Sequence, residues 1–181
     1  MNSRCRLAGA DGDSRVSDYD DAAIQAAVAR VAAVLQERGW LLSTAESCTG
    51  GWIAKSCTDL AGSSAWFDRG YVAYSYPAKE EELGVIPADL EAHGAVSEEI
   101  AGQMALGARQ RSGSQVTLAA TGIAGPGGGM ANKPVGMVCL AWSVRGGLLT
   151  ATTCHFEGDR EAVRRQTVIR ALDGVLHVLG G

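Results

Sequence analysis

The chain has 181 residues, a length that suits one domain with a sizeable core. Its 16 Lys and Arg against 20 Asp and Glu give a formal net charge of −4. With no Lys/Arg block and no apolar run long enough to span a bilayer, the composition speaks against a nucleic-acid partner and against a membrane protein.

Residues 1 to 18 are polar, Gly/Asp-containing and aperiodic, and read as a flexible tail ahead of one domain over 19–181. In "YDDAAIQAAVARVAAVLQERG", Ile24, Val28, Val31 and Leu35 recur at helical spacing, with Asp20 and Asp21 at the favoured end and Gly39 as a stop. "WLLSTA" is a short buried strand, and a helix is predicted from about Thr49 to Leu60. "GSSAWFDRG" reads as a loop and Gly70–Ser75 as a strand. "AKEEELG", "IPADLEAHG" and "SEEIAGQMALGARQRSG" are helices, the last capped by Ser97. "QVTLAAT" is a strand that runs into the glycine-rich "GIAGPGGGMANKP". "VGMVCLAWSV" and "LLTATTCHF" form a hairpin around Arg145–Gly147, and "GDREAVRRQTVIRALDGVLHVLG" is a closing helix. Helices between strands, plus an antiparallel hairpin, predict an α/β fold with a mixed sheet.

The five cysteines are odd in number and include no C-x-x-C pair, and the three histidines are scattered. Reduced thiols in a cytosol are therefore expected, and a zinc site is poorly supported. No apolar segment follows Arg4 and Arg6, so a secretory signal is not expected.

Four stretches carry chemistry. "STAESCTGGW" places Ser47 at a strand-to-helix turn, where N–H groups can hold an oxyanion and Gly50 and Gly51 leave room for a substrate. It also reads simply as a helix cap and a turn. "YVAYSYPAKEEELG" brings Tyr74 and Lys79 to a strand–helix junction. A buried neutral lysine is a base for a serine, whereas an exposed one would pair with Glu80 or Glu82. "TGIAGPGGG", with five glycines in nine residues, suits a nest of amides for an anion, with Thr121 at the strand end; a plain crossover loop has the same composition. In "GDREAVRRQ", Asp159 caps a helix. Arg160, Arg164 and Arg165 oppose its dipole, as they would on a solvated face or beside a phosphate.

Taken in this order, "TAESCTGG", "GSSAWFDRGYVAYS", "AKEEELGV", "HGAVSEEIA", "TGIAGPGGG", "KPVGMV" and the GDREAVRRQ segment resemble the C-terminal domain family of the competence/damage-inducible protein CinA, from about Asp21 onward. The resemblance implies a three-layer α/β/α sandwich and hydrolysis of the carboxamide of nicotinamide mononucleotide to nicotinate mononucleotide and ammonia, without cofactor or metal. It implies Ser47 as nucleophile, assisted by Tyr74 and Lys79. Glu46, Cys48, Thr49, Gly50 and Gly51 of the turn, Thr121, Gly122, Gly125 and Gly127 of the loop, and Arg160 would surround the substrate. Cys48, with Glu46 and Lys79, is the alternative nucleophile, but alternation along an extended chain sends Ser47 and Cys48 to opposite sides. A cytoplasmic bacterial homodimer acting on a small nucleotide is expected. The chain is short for the family's second, nucleotide-processing domain, so a stand-alone form is expected. One departure stands out: the family's Y-S-N-x-x-K reads here Tyr74-Ser75-Tyr76-Pro77-Ala78-Lys79, which bears on substrate preference. A silent nucleotide-binding module and a hydrolase of another small amide are the competing expectations.

Overall fold

The computed structural model describes residues 17–180, and most of the expected 1–18 tail lies outside them. Ser17–Tyr19 forms a short 3-10 turn ahead of α1 (Asp21–Arg38). The order continues β1 (Leu42–Glu46), α2 (Trp52–Asp59), β2 (Phe67–Val72), α3 (Tyr76–Leu83), α4 (Pro87–His93), α5 (Glu98–Ser112), β3 (Val116–Gly122), β4 (Met137–Val144), β5 (Leu148–His155) and α6 (Arg160–Val178). The caps explain the boundaries. Side chains of Asp20, Ser75, Ser97 and Asp159 accept from N–H groups of the first helical turns, and Gly39, Gly84 and Gly113 end their helices in the left-handed region.

The sheet order is β2-β1-β3-β4-β5. β2, β1 and β3 run parallel, while β4 and β5 complete the sheet antiparallel. Alternation along the strands sorts two cores. Leu42, Leu118, Leu140 and Trp142 pack under α1, α2 and α6. Ala45, Ala119, Cys139 and Ala141 face α3, α4 and α5. This is the expected three-layer sandwich with a mixed sheet. On the second face small residues meet the small side of α5, including Ala101, Ala105 and Ala108, so that helix lies close to the sheet. Gly107 lets α5 meet α3 closely as well: a Cβ there would stand 1.8 Å from the Leu83 carbonyl oxygen at the end of α3. On the first face the Trp142 indole donates to the Ala171 carbonyl at 2.9 Å and anchors α6 to β4. Among the described residues no helix is long and apolar enough to cross a membrane.

Two elements differ most from expectation. α2 begins at Trp52 rather than near Thr49, because Gly50 and Gly51 take φ of 60° and 91°, outside the helical region. β2 covers Phe67–Val72 rather than Gly70–Ser75. It is an edge strand with a mostly exposed face, so the apolar alternation that marks a half-buried strand is missing from "FDRGYV".

Candidate active site

The site is built where the parallel strands end. Ser47 follows β1, and its N–H donates to the Ala120 carbonyl at 2.9 Å, one step beyond the β1–β3 ladder. Ala73 does the same on the other side, donating to the Glu46 carbonyl at 3.0 Å. Ser47 is therefore held between two neighbouring strand ends, at the carboxyl edge where ligands of open α/β sheets bind.

Lys79 lies on the first turns of α3, whose entry is set by Ser75 as cap and Pro77. The Lys79 side chain is only 1 % exposed. Its Nζ lies 3.0 Å from Ser47 Oγ, 2.8 Å from the Ala73 carbonyl and 3.1 Å from the Tyr74 carbonyl. No carboxylate is among these partners. Burial, which disfavours the charged form, lowers the Lys79 pKa to about 8. The surface ion pair with Glu80 or Glu82 is thus not what this lysine makes.

Tyr74 meets the site through its backbone. Its carbonyl accepts from Lys79, while its side chain is 62 % exposed. Cys48 points the other way from Ser47, into the core beneath α1, α2 and α6. Burial pushes its thiol up to about 12, so it carries no thiolate at neutral pH.

Glu46 is fully buried and accepts four hydrogen bonds. Oε1 takes Thr44 Oγ1 at 3.0 Å and the Ala54 N–H at 2.8 Å. Oε2 takes Thr49 Oγ1 at 2.8 Å and the Ile53 N–H at 3.0 Å. The N-cap position of α2 is Gly51, which has no side chain, so Glu46 caps the helix from β1. Its carboxylate and the Thr49 hydroxyl are occupied in holding the turn together. The Thr121 hydroxyl likewise donates to the Ala95 carbonyl at 2.8 Å. The Ala95 N–H donates to Tyr76 Oη at 3.3 Å, so the residue that departs from the family pattern fastens the segment before α5.

Beside the turn after β1 opens a cavity of about 930 Å³, walled by Trp52, Gly125, Pro126, Val135 and the first turns of α6 with Arg160, Arg164 and Arg165. Gly125, at φ 84°, presents its carbonyl to Arg160 Nη1 at 2.9 Å. Gly122 sits in the β3–β4 ladder, where a Cβ would stand 2.6 Å from Val138 Cγ2, and Gly127 is exposed. The structure thus brings together Ser47 and Lys79 in one place and Gly125 with Arg160 in another. Ser47 and Lys79 are not in the cavity wall. Arg164 joins the two places: it lines the cavity and donates to the carbonyls of Cys48 and Thr49. In the sequence Arg164 was legible only as one of three charges near a helix start. A separation of 116 residues hid its bond to the turn.

Fold and site define a three-layer α/β domain with a serine–lysine pair at the carboxyl ends of its parallel strands. The chain belongs to the CinA C-terminal domain family, whose model matches residues 24–179. It is 50% identical over 144 residues to the nicotinamide-nucleotide amidohydrolase PncC of Escherichia coli (strain K12), covering 79% of this chain and 87% of that protein. A CinA-like protein of Geobacter sulfurreducens is 50% identical over 162 residues, 90% of this chain but 38% of that longer protein. The crystal structure of the competence/damage inducible protein CihA from Agrobacterium tumefaciens superposes with a TM-score of 0.84 at 44% identity, over 88% of this chain and 96% of that one.

Proposed function

We propose that this protein is an amidohydrolase that converts nicotinamide mononucleotide to nicotinate mononucleotide and ammonia. The observation that carries the reading is the buried Ser47–Lys79 contact of 3.0 Å. Similarity to nicotinamide-nucleotide amidohydrolases at 50% identity supports the substrate. Neutral Lys79 takes the proton of Ser47 as its Oγ attacks the carboxamide carbon. The electrons of the C=O move to oxygen, held by amides of the 48–51 turn. The tetrahedral species collapses, the proton passes to the leaving nitrogen, and ammonia departs. Water then cleaves the ester on Ser47 by the same base. Tyr74 contributes its carbonyl, which orients the amine. Arg160 and the glycine-rich loop receive the phosphate and ribose, so that binding energy remote from the carboxamide positions it. The same reading has the protein working as a cytoplasmic homodimer on a soluble nucleotide, and sedimentation of the purified protein checks the assembly.

The test is ammonia release from nicotinamide mononucleotide by the wild type beside Ser47→Ala and Lys79→Ala. Release that both variants lose upholds the proposal. A folded wild type that binds the nucleotide without releasing ammonia would instead favour a silent nucleotide-binding module. Release from other small amides irrespective of the 5′-phosphate would favour a different amidase.

A further inference from the structure

The turn after β1 contains two consecutive glycines in the left-handed region, Gly50 and Gly51. Glycine gives the Thr49–Gly50 and Gly50–Gly51 peptides rotational freedom, so the turn, with the Cys48–Thr49 peptide that leads into it, needs an outside restraint. Arg164 supplies one. From α6 its Nε donates to the Cys48 carbonyl at 3.2 Å and its Nη2 to the Thr49 carbonyl at 2.7 Å. Its guanidinium is steadied over the Trp52 ring, 4.9 Å from the centroid, at the first residue of α2. A trans peptide carries its N–H opposite its C=O. Drawing the Cys48 and Thr49 carbonyls toward Arg164 therefore sends the Thr49 and Gly50 N–H groups to the other side of the turn. The Gly50 N–H is taken by the Ser47 carbonyl at 3.0 Å. The Thr49 N–H has no acceptor among the described residues.

We infer that Arg164 is a positioning residue for the reaction at Ser47: its fork on the Cys48 and Thr49 carbonyls orients the Thr49 amide as an oxyanion donor. The inference rests on the acyl-transfer reading above. As Ser47 Oγ forms its bond to the carbonyl carbon, the C=O π pair moves to oxygen and the Ser47 proton moves to Lys79. The negative charge appears only then, so an amide aimed at it acts on kcat rather than on substrate binding. An arginine that merely held the anionic end of the substrate in the cavity would act on KM instead.

The experiment compares wild type, Arg164→Lys and Arg164→Ala on nicotinamide mononucleotide, with melting temperature measured alongside. Lysine keeps the charge but cannot span both carbonyls or stack as a plane. The expected result is a fall in kcat of about a hundredfold in both variants with KM changed only a few-fold. Part of kcat returns to Arg164→Ala on adding guanidinium at a concentration that leaves the melting temperature unchanged. A raised KM with kcat retained would overturn the inference, as would a kcat loss that follows unfolding and that guanidinium does not restore. A second readout separates this from failure of the substrate assignment. An alkyl fluorophosphonate labels an activated serine through the same oxyanion donors and needs no nucleotide. Labelling of Ser47 that slows at least tenfold in the Arg164 variants upholds the inference even without nucleotide hydrolysis, and equal rates overturn it. A wild type that neither hydrolyses nor labels overturns the Ser47 reading, and this inference with it.

Discussion

Lys79 Nζ and Ser47 Oγ stand 3.0 Å apart, and the carbonyls of Ala73 and Tyr74 occupy the amine's other two directions. A neutral amine has two N–H groups and one lone pair. With the two carbonyls accepting the N–H groups, the lone pair is left facing the serine hydroxyl. The arrangement that buries the lysine thus also suits it to the proposed role of base, and the same burial brings its pKa to about 8.

The proton must be off Lys79 before it acts. The proposed activity therefore rises with pH, about tenfold per unit below pH 8, and levels off above it. At pH 7 roughly a tenth of the molecules hold the amine neutral. A profile of kcat/KM from pH 6 to 10 checks this. Lys79→Arg, which cannot deprotonate, should be inactive throughout.

The same shift appears in stability. The folded pKa of Lys79, about 8, lies below the ordinary 10.5, so between these values the unfolded chain binds more protons than the folded one. Unfolding free energy then increases with pH across that window. Urea melts of wild type and Lys79→Met at pH 7.5 and pH 10 check the sign. The wild type should gain relative to the variant at the higher pH, and parallel behaviour would refute the shift.

Glu46 binds the turn to α2 through four donors. In Glu46→Gln one oxygen becomes an NH2 group that faces donors. We expect a loss of about 2–3 kcal/mol in urea unfolding, together with lower turnover because the turn that carries Ser47 loosens. Unchanged stability would show that the cap is dispensable.

Gly107→Ala tests how α5 positions the lysine. Helix propensity alone would favour alanine by about 1 kcal/mol. The added Cβ would meet the Leu83 carbonyl oxygen at 1.8 Å, on the helix that carries Lys79. Sterics should win, costing about 1–3 kcal/mol and at least about tenfold in kcat as α3 moves off. Melting and turnover of this variant check both.

Much of this was legible in one dimension. Ser97 and Asp159 announced their helices through capping chemistry, Asp20 and Asp21 theirs through charge at the favoured end, and Gly39 its stop, because those signals are local. The mixed sheet followed from the hairpin at Arg145–Gly147. Nothing in "AKEEELG" says that its lysine is buried, since three following glutamates suggest an exposed helix. Its amine instead meets the Ser47 hydroxyl, 32 residues away, and the Ala73 and Tyr74 carbonyls beyond β2. Glu46 and Thr49 stood beside Ser47 and read as groups around the substrate, yet they bond to each other. The deciding fact is that α2 has a glycine at its N-cap and needs a cap from elsewhere. Thr121 and Tyr76 spend their hydroxyls on the two sides of Ala95, a partnership that spacing does not reveal.

The central claim, acyl transfer through Ser47, is tested most directly by acid-quenching the enzyme during turnover of nicotinamide mononucleotide and locating the acyl group by peptide mass spectrometry. The account predicts a nicotinoyl-nucleotide ester on Ser47 that accumulates in the first turnovers and is absent from Ser47→Ala, while Cys48→Ala still forms it. An adduct on Cys48, or turnover retained by Ser47→Ala, would contradict it.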